Sequence, residues 1–134
     1  MKVIFPLTLS GTAVQYPDAI NLFSNAVILG SEVVADYSGA LSLTPFTGYL
    51  PTDYKPMTPL TFLQRMTQAE RIATRTQAQT DANIADFMYL LDHAPTVMLN
   101  DPEVVAGIDY LGTVPSATPI LTAARIAAIL NPKI

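Results

Sequence analysis

The pattern of hydrophobic and polar residues divides the chain into two parts. In residues 1–57, short apolar and β-branched runs alternate with glycine, proline and serine, which is typical of strands. In residues 58–134, apolar residues recur every three or four positions, which is typical of helices with one buried face. This change from strand-like to helical spacing of the apolar residues predicts an α+β protein. A β-rich or extended docking segment with short antiparallel strands and a proline-rich linker precedes a compact bundle of four or five short α-helices.

The first part contains predicted strands over residues 2–9, 26–29, 32–37 and 40–46. Gly30-Ser31 fits a two-residue hairpin turn, and Ser38-Gly39 offers a second tight turn. Residues 27–46 are therefore predicted to form a three-stranded antiparallel meander. Residues 18–23 suggest one helical turn, and residues 47–57, with two prolines and two tyrosines, suggest an extended linker.

The second part contains several residues that stabilise a helix N-terminus. An N-cap side chain accepts a hydrogen bond from a free amide of the first turn, which contributes about 1 kcal/mol. Thr67 and Glu70 also have the spacing of a capping box. The predicted helix starts are Thr58-Pro59, Thr67, Thr80-Asp81, Asn100-Asp101-Pro102-Glu103 and either Thr118-Pro119 or Thr122. The corresponding helices span roughly residues 59–66, 68–79, 81–93, 102–112 and 120–130.

The sequence contains no recognisable catalytic, metal-binding or phosphate-binding motif. His93 is the only histidine, and no second ligand stands at a suitable spacing, so we expect it to stabilise a helix C-terminus. Cysteine is absent, as are glycine-rich phosphate loops and nucleophile elbows. We therefore predict no catalytic residue, metal or cofactor, and no enzymatic activity. An unrecognised site that includes His93, Asp86 or Asp92 is the alternative.

The composition indicates a chain that is covered by neighbours. Charged residues make up 13% of it, against about a quarter in ordinary globular domains. A buried subunit needs less surface charge than a free monomer, although a monomer rich in surface Ser, Thr and Gln is also compatible. The net charge of −4 disfavours binding to nucleic acid. The basic cluster Arg65, Arg71 and Arg75 is either a solvated face with an ion pair or a docking surface for an acidic partner.

The uncharged stretches of the sequence are too short to predict a membrane-spanning helix. The longest are residues 3–17, 37–52 and 110–124. Each is shorter than the run of about 20 residues that spans a bilayer, and each contains proline. We expect no contact with a membrane.

Residues 1–57 are the candidate partner interface. Lys2 is the only basic residue before Lys55, so apolar strand edges would lack the charges that guard them. Either strands are exchanged with partner subunits, or the second part covers the sheet. In the first case the interface consists of Ile4, Phe5, Val27, Ile28, Val33, Leu41, Leu43, Phe46, Tyr49 and Tyr54.

Residues 60–73, with the sequence LTFLQRMTQAERIA, resemble small proteins encoded among the tail genes of tailed bacteriophages. The resemblance covers nearly all of residues 58–134 and little of residues 1–57. It continues through residues 86–91, 99–102, 105–111 and 121–130, and it breaks at residues 112–119, where a short glycine turn is expected. Such proteins look like compact helical modules without assigned enzymatic residues, so no site is carried over.

The resemblance implies a non-enzymatic structural protein of a tailed-phage virion, assembled in the host cytoplasm. Its place would be the tail, the tail-fibre attachment or a capsid accessory position. The implied partners are other virion subunits, either in a homo-oligomer or in a ring. The alternative is an assembly chaperone or adaptor that is not retained in the virion.

Overall fold

A computed structural model describes residues 1–133 of the chain. It contains two compact units, which we call the first unit (Met1–Gly48) and the second unit, which begins at Tyr49. The predicted α+β class is confirmed, because antiparallel strands precede five short helices. The second unit begins before residue 58 because Met57 forms a β-bridge with Val97. The Met57 amide donates to the Val97 carbonyl at 3.0 Å, and the Val97 amide donates to the Met57 carbonyl at 2.7 Å.

The first unit contains one three-stranded antiparallel sheet and one small hairpin. The sheet has the order β1-β5-β4, and β2 pairs with β3. A 3₁₀ turn at Ile20–Leu22 matches the helical turn expected before β4. The strands are β1 (Lys2–Pro6), β2 (Leu9–Ser10), β3 (Ala13–Val14), β4 (Phe23–Leu29) and β5 (Glu32–Tyr37).

The predicted turn at Gly30-Ser31 joins β4 to β5. Leu29 lies opposite Glu32, and Gly30 has a φ of +59°, which glycine adopts without the steric cost of a side chain. The register of β4 shifts between Ser24 and Val27, so the strand carries a bulge.

The predicted meander is wrong in its third strand. Residues 40–46 do not continue the sheet beside β5, because β1 occupies that position and places Val3 and Phe5 opposite Ala35 and Val33. The segment instead lies along the other side of β1. There the Ile4 amide donates to the Thr44 carbonyl, and the Phe46 amide donates to the Lys2 carbonyl, both at 2.9 Å. The predicted strand over residues 2–9 is likewise divided, since β1 ends at Pro6 and β2 begins at Leu9.

One face of the sheet forms the core of the first unit. Phe5, Tyr16 and Phe23 pack with ring centroids 5.0 to 5.6 Å apart. Tyr37 extends this cluster, and its hydroxyl donates to Asp18 at 2.6 Å. The buried members are Val3, Phe5, Val33, Ala35 and Tyr37.

The second unit consists of α1 (Pro59–Leu63), α2 (Gln68–Ala78), α3 (Ala82–His93), α4 (Pro102–Tyr110) and α5 (Ala123–Ile129). Five predicted starts are confirmed, since each N-cap side chain accepts an amide hydrogen bond from the first turn: Thr58, Thr67, Asp81, Asp101 and Thr122. Thr122, not Thr118, begins the last helix. The helices enclose a core of Phe62, Met66, Ile84, Leu91, Val97, Leu99, Ile108, Leu111, Leu121 and Ile129.

Candidate interaction surfaces

The two edges of the three-stranded sheet differ. The outer side of β1 carries the hydrogen-bonded segment around Thr44, whereas β4 has a paired neighbour on one side only within residues 1–133. Alternate residues of an antiparallel edge strand direct their N–H and C=O groups away from the sheet. Ile28, in the middle of the regular part of β4, is 56% exposed. We call β4 the open edge.

The bulge divides the open edge into two parts. Asn25 has a φ of +52°, and its side-chain amide donates to Asp36 at 2.9 Å. Lys2 donates to the other oxygen of Asp36 at 3.1 Å. Both hydrogen bonds lower the pKa of Asp36 below its usual value, and the one from Asn25 has the larger effect. A polar cluster therefore occupies the bulged end, and residues 27–29 remain as the regular, apolar part of the edge.

The ten predicted interface residues are distributed over both units. Phe5 and Val33 are 7% and 1% exposed, so they stabilise the core of the first unit and are closed to a partner while the sheet is folded. Half-buried positions are held by Ile4, Val27, Leu43, Phe46 and Tyr54. Ile28, Leu41 and Tyr49 are exposed. Tyr49 and Tyr54 belong to the second unit, where their rings contact each other edge to face at 6.3 Å.

A groove of about 430 Å³ lies between α3 and α4 in the second unit. It was not predicted from the sequence. On its α3 side it is lined along one stripe by Asn83, Asp86, Phe87, Leu90, Leu91 and Ala94. Val104, Ala106, Gly107 and Tyr110 of α4 form the opposite wall, and Thr96 and Val97 add to the lining.

Gly107 allows the two walls to approach closely. A Cβ atom at this position would lie 2.5 Å from the Phe87 ring, closer than real carbon contacts. An isolated glycine inside a helical pattern was the available sequence signal for this packing. The ring consequently covers the backbone of α4 and stays half-buried at the groove wall.

A hydrogen-bond network closes one end of the groove. The Tyr110 hydroxyl donates to Asp81 at 2.7 Å and accepts from the Asn83 side-chain amide at 3.3 Å. Asp81 also caps α3. The network thus ties the start of α3 to the end of α4 and holds the width of the groove.

Two arginines of the predicted basic cluster, Arg65 and Arg71, form hydrogen bonds with backbone carbonyls of the second unit. Arg65 donates to the carbonyls of Ile129 and Asn131, at 3.0 and 2.8 Å, and so binds the end of α5. Arg71 donates to the carbonyls of Leu63 and Met66. These contacts are structural, and they argue against an open basic surface for an acidic partner.

The residues considered for catalysis are not brought together. His93 lies in the last turn of α3, where its Nδ1 donates to the Tyr89 carbonyl at 2.8 Å and its ring stacks on Tyr89 at 4.1 Å. Asp86 and Asp92 are exposed on the same helix. Within residues 1–133 no group of three or more potential metal ligands forms.

Comparison of the chain with protein-family models, curated proteins and solved structures finds no match. None of the helices within residues 1–133 has the length and apolar character needed to cross a bilayer.

Proposed function

We propose that this chain is a non-enzymatic structural subunit of a tailed-bacteriophage particle that binds other subunits through the open edge β4. The difference between the two sheet edges carries the proposal. Residues 44–46 occupy the outer side of β1, whereas β4 has a hydrogen-bonded strand on one side only among residues 1–133. A strand from a partner that pairs with β4 gains main-chain hydrogen bonds in the manner of β-augmentation.

The side chains near the open edge support a protein partner. Ile28 is 56% exposed on β4, so a large apolar side chain stands on this edge. Free monomers usually guard such edges with lysine, proline or a bulge. Here the bulge lies between Ser24 and Val27. Residues 27–29, which follow it, are Val, Ile and Leu and include neither lysine nor proline.

The assignment to a phage particle is supported by the resemblance of residues 58–134 to tail-region proteins and by the charged fraction of 13%. Both features fit a subunit that is covered by neighbours in an assembly. The tail, the tail-fibre attachment and a capsid accessory position all satisfy these observations.

Incorporation into particles tests the proposal. The variant Ile28→Lys places a charge on the open edge, and Leu9→Lys, at a position that is 54% exposed on β2, is the matched control. We expect mass spectrometry of purified particles to find the wild-type chain and Leu9→Lys, but not Ile28→Lys, provided that circular dichroism shows both variants to be folded. Normal incorporation of Ile28→Lys would overturn the role of β4. If the wild-type chain is absent from finished particles, the assembly chaperone or adaptor replaces the structural subunit.

A further inference from the structure

We propose that the groove between α3 and α4 binds a basic amphipathic helix of another protein. Apolar side chains of this helix fill the groove, and its lysines and arginines face the acidic rim. This site lies in the second unit and does not involve the open edge β4.

The floor and walls of the groove provide the apolar contact. Ile84, Leu91 and Val97 are buried at its base. Phe87 and Val104 are half-buried in the walls, and Leu90 is 45% exposed. A large apolar side chain that stays this exposed beside a preformed depression marks a contact site for a second apolar surface.

The dimensions of the groove fit a short helix. The lining residues on this side extend from Asn83 of α3 to Ala94, which directly follows the helix, and a rise of 1.5 Å per residue makes this stripe about 16 Å long. That length accommodates about three turns of a helix lying along the groove. A volume of about 430 Å³ holds only a few side chains. The bound helix therefore contributes anchors at positions i, i+3 or i+4, and i+7.

The charges at the groove select the partner. Asp86, Asp101 and Glu103 are the charged residues among those described in the lining, and none of these lining residues is a lysine, arginine or histidine. Asp101 is used as the N-cap of α4, whereas Asp86 and Glu103 are exposed at the rim. A cationic segment gains electrostatic attraction here, and an acidic segment is repelled. An uncharged small molecule would gain no charge–charge attraction from these carboxylates.

The experiment begins with a random library of peptides of about 15 residues, long enough for three turns and flanking charges, selected on the full chain. We expect enriched peptides to combine apolar residues at helical spacing with lysine or arginine. Fluorescence anisotropy of a selected peptide then measures affinity at low and high salt. Because the carboxylates are exposed, added salt is expected to weaken binding.

Three variants locate the binding site. Leu90→Glu introduces a charge into the groove, and the pair Asp86→Lys and Glu103→Lys reverses the rim. The matched control, Asp92→Lys with Asp109→Lys, makes the same charge change at exposed positions of α3 and α4 outside the lining. We expect each groove variant to weaken binding about tenfold or more and the control about twofold or less.

Specific results would overturn the proposal. One is that no enriched peptide depends on Leu90 for binding. The second is that acidic peptides are enriched, and the third is that the rim and control variants lose equal peptide affinity. Apolar small molecules that bind while no peptide does would identify a ligand pocket instead. Circular dichroism verifies that every variant is folded, and the rim pair tests the site through exposed residues if Leu90→Glu unfolds.

Discussion

The carboxylate of Glu70 accepts two hydrogen bonds from the guanidinium of Arg125, both at 2.8 Å. Glu70 also accepts from the Thr67 amide at 2.7 Å and so completes the capping box of α2. Arg125 in turn donates to the carbonyl of Arg65 at 3.0 Å. One carboxylate therefore both begins α2 and attaches α5 to it.

Removing the charge of Glu70 is expected to destabilise the second unit. The Glu70 side chain is 12% exposed and the Arg125 side chain is 36% exposed, so Glu70→Gln weakens a partly buried, two-point ion pair. We predict a loss of about 1–3 kcal/mol in the free energy of unfolding, the range for leaving a hydrogen-bonding group without its partner. Urea denaturation followed by helical circular dichroism measures it. The control Asp86→Asn changes an exposed carboxylate in the middle of α3 and should shift the value by less than about 0.5 kcal/mol.

The same pair predicts a dependence on pH. The hydrogen bonds from Arg125, the largest cause, lower the pKa of Glu70 below the usual 4.5, against the opposing effect of burial. Its contribution to stability is thus complete above the unfolded pKa and is lost as pH falls through the folded one. The stability difference between wild type and Glu70→Gln should be constant from pH 7 to about 5 and narrow below that. A difference that widens in acid would contradict this assignment.

Gly107 should respond to alanine with the opposite sign from an ordinary helical glycine. Gly→Ala in a helix usually stabilises by about 0.5–1 kcal/mol. Here the new Cβ would lie 2.5 Å from the Phe87 ring, so we predict that Gly107→Ala destabilises the wild type. In a Phe87→Ala background the clash is gone, and the same change should stabilise. A double-mutant cycle from urea denaturation tests this, and a stabilising effect in both backgrounds would refute the close packing.

Tyr37 should make the first unit sensitive to alkali. Burial, followed by the hydrogen bond to Asp18, raises the pKa of Tyr37 above 10.0. Since the unfolded phenol ionises first, stability is complete below pH 10 and decreases as pH rises through the folded pKa. Tyr37→Phe should be less stable at neutral pH and lack this alkaline loss. Methyl NMR signals of Val33 and Ala35, followed in urea, report on the first unit. If the Tyr37→Phe variant loses stability at alkaline pH to the same extent as the wild type, a group other than Tyr37 causes that loss.

The helix starts were predictable because capping is local. The side-chain oxygens of Thr58, Thr67 and Thr122 satisfy amides no more than three residues away, so their effect is encoded in adjacent sequence. The hairpin turn at Gly30 was predictable for the same reason. It requires a two-residue turn between β-branched runs, and these residues are neighbours.

The strand order and the groove depended on distant residues. The pattern of residues 40–46 did not reveal that β1 takes the place beside β5, since that choice depends on Val3 and Phe5 at the other end of the unit. The groove depends on the approach of Gly107 to the Phe87 ring, which brings together two helices. A glycine within a helical run indicates close packing, but it does not indicate that Phe87 is the residue packed against it.

The claim that β4 is the docking edge is tested most directly by amide hydrogen exchange of residues 23–29. The measurement compares the free chain with the chain in purified particles. In the free chain, the outward-facing amides of β4 should exchange faster than the amides of β5, which lies between two strands. In particles, the proposal predicts strong additional protection of residues 27–29, where a partner strand would pair. Equal exchange of these residues in both states would contradict strand addition at β4.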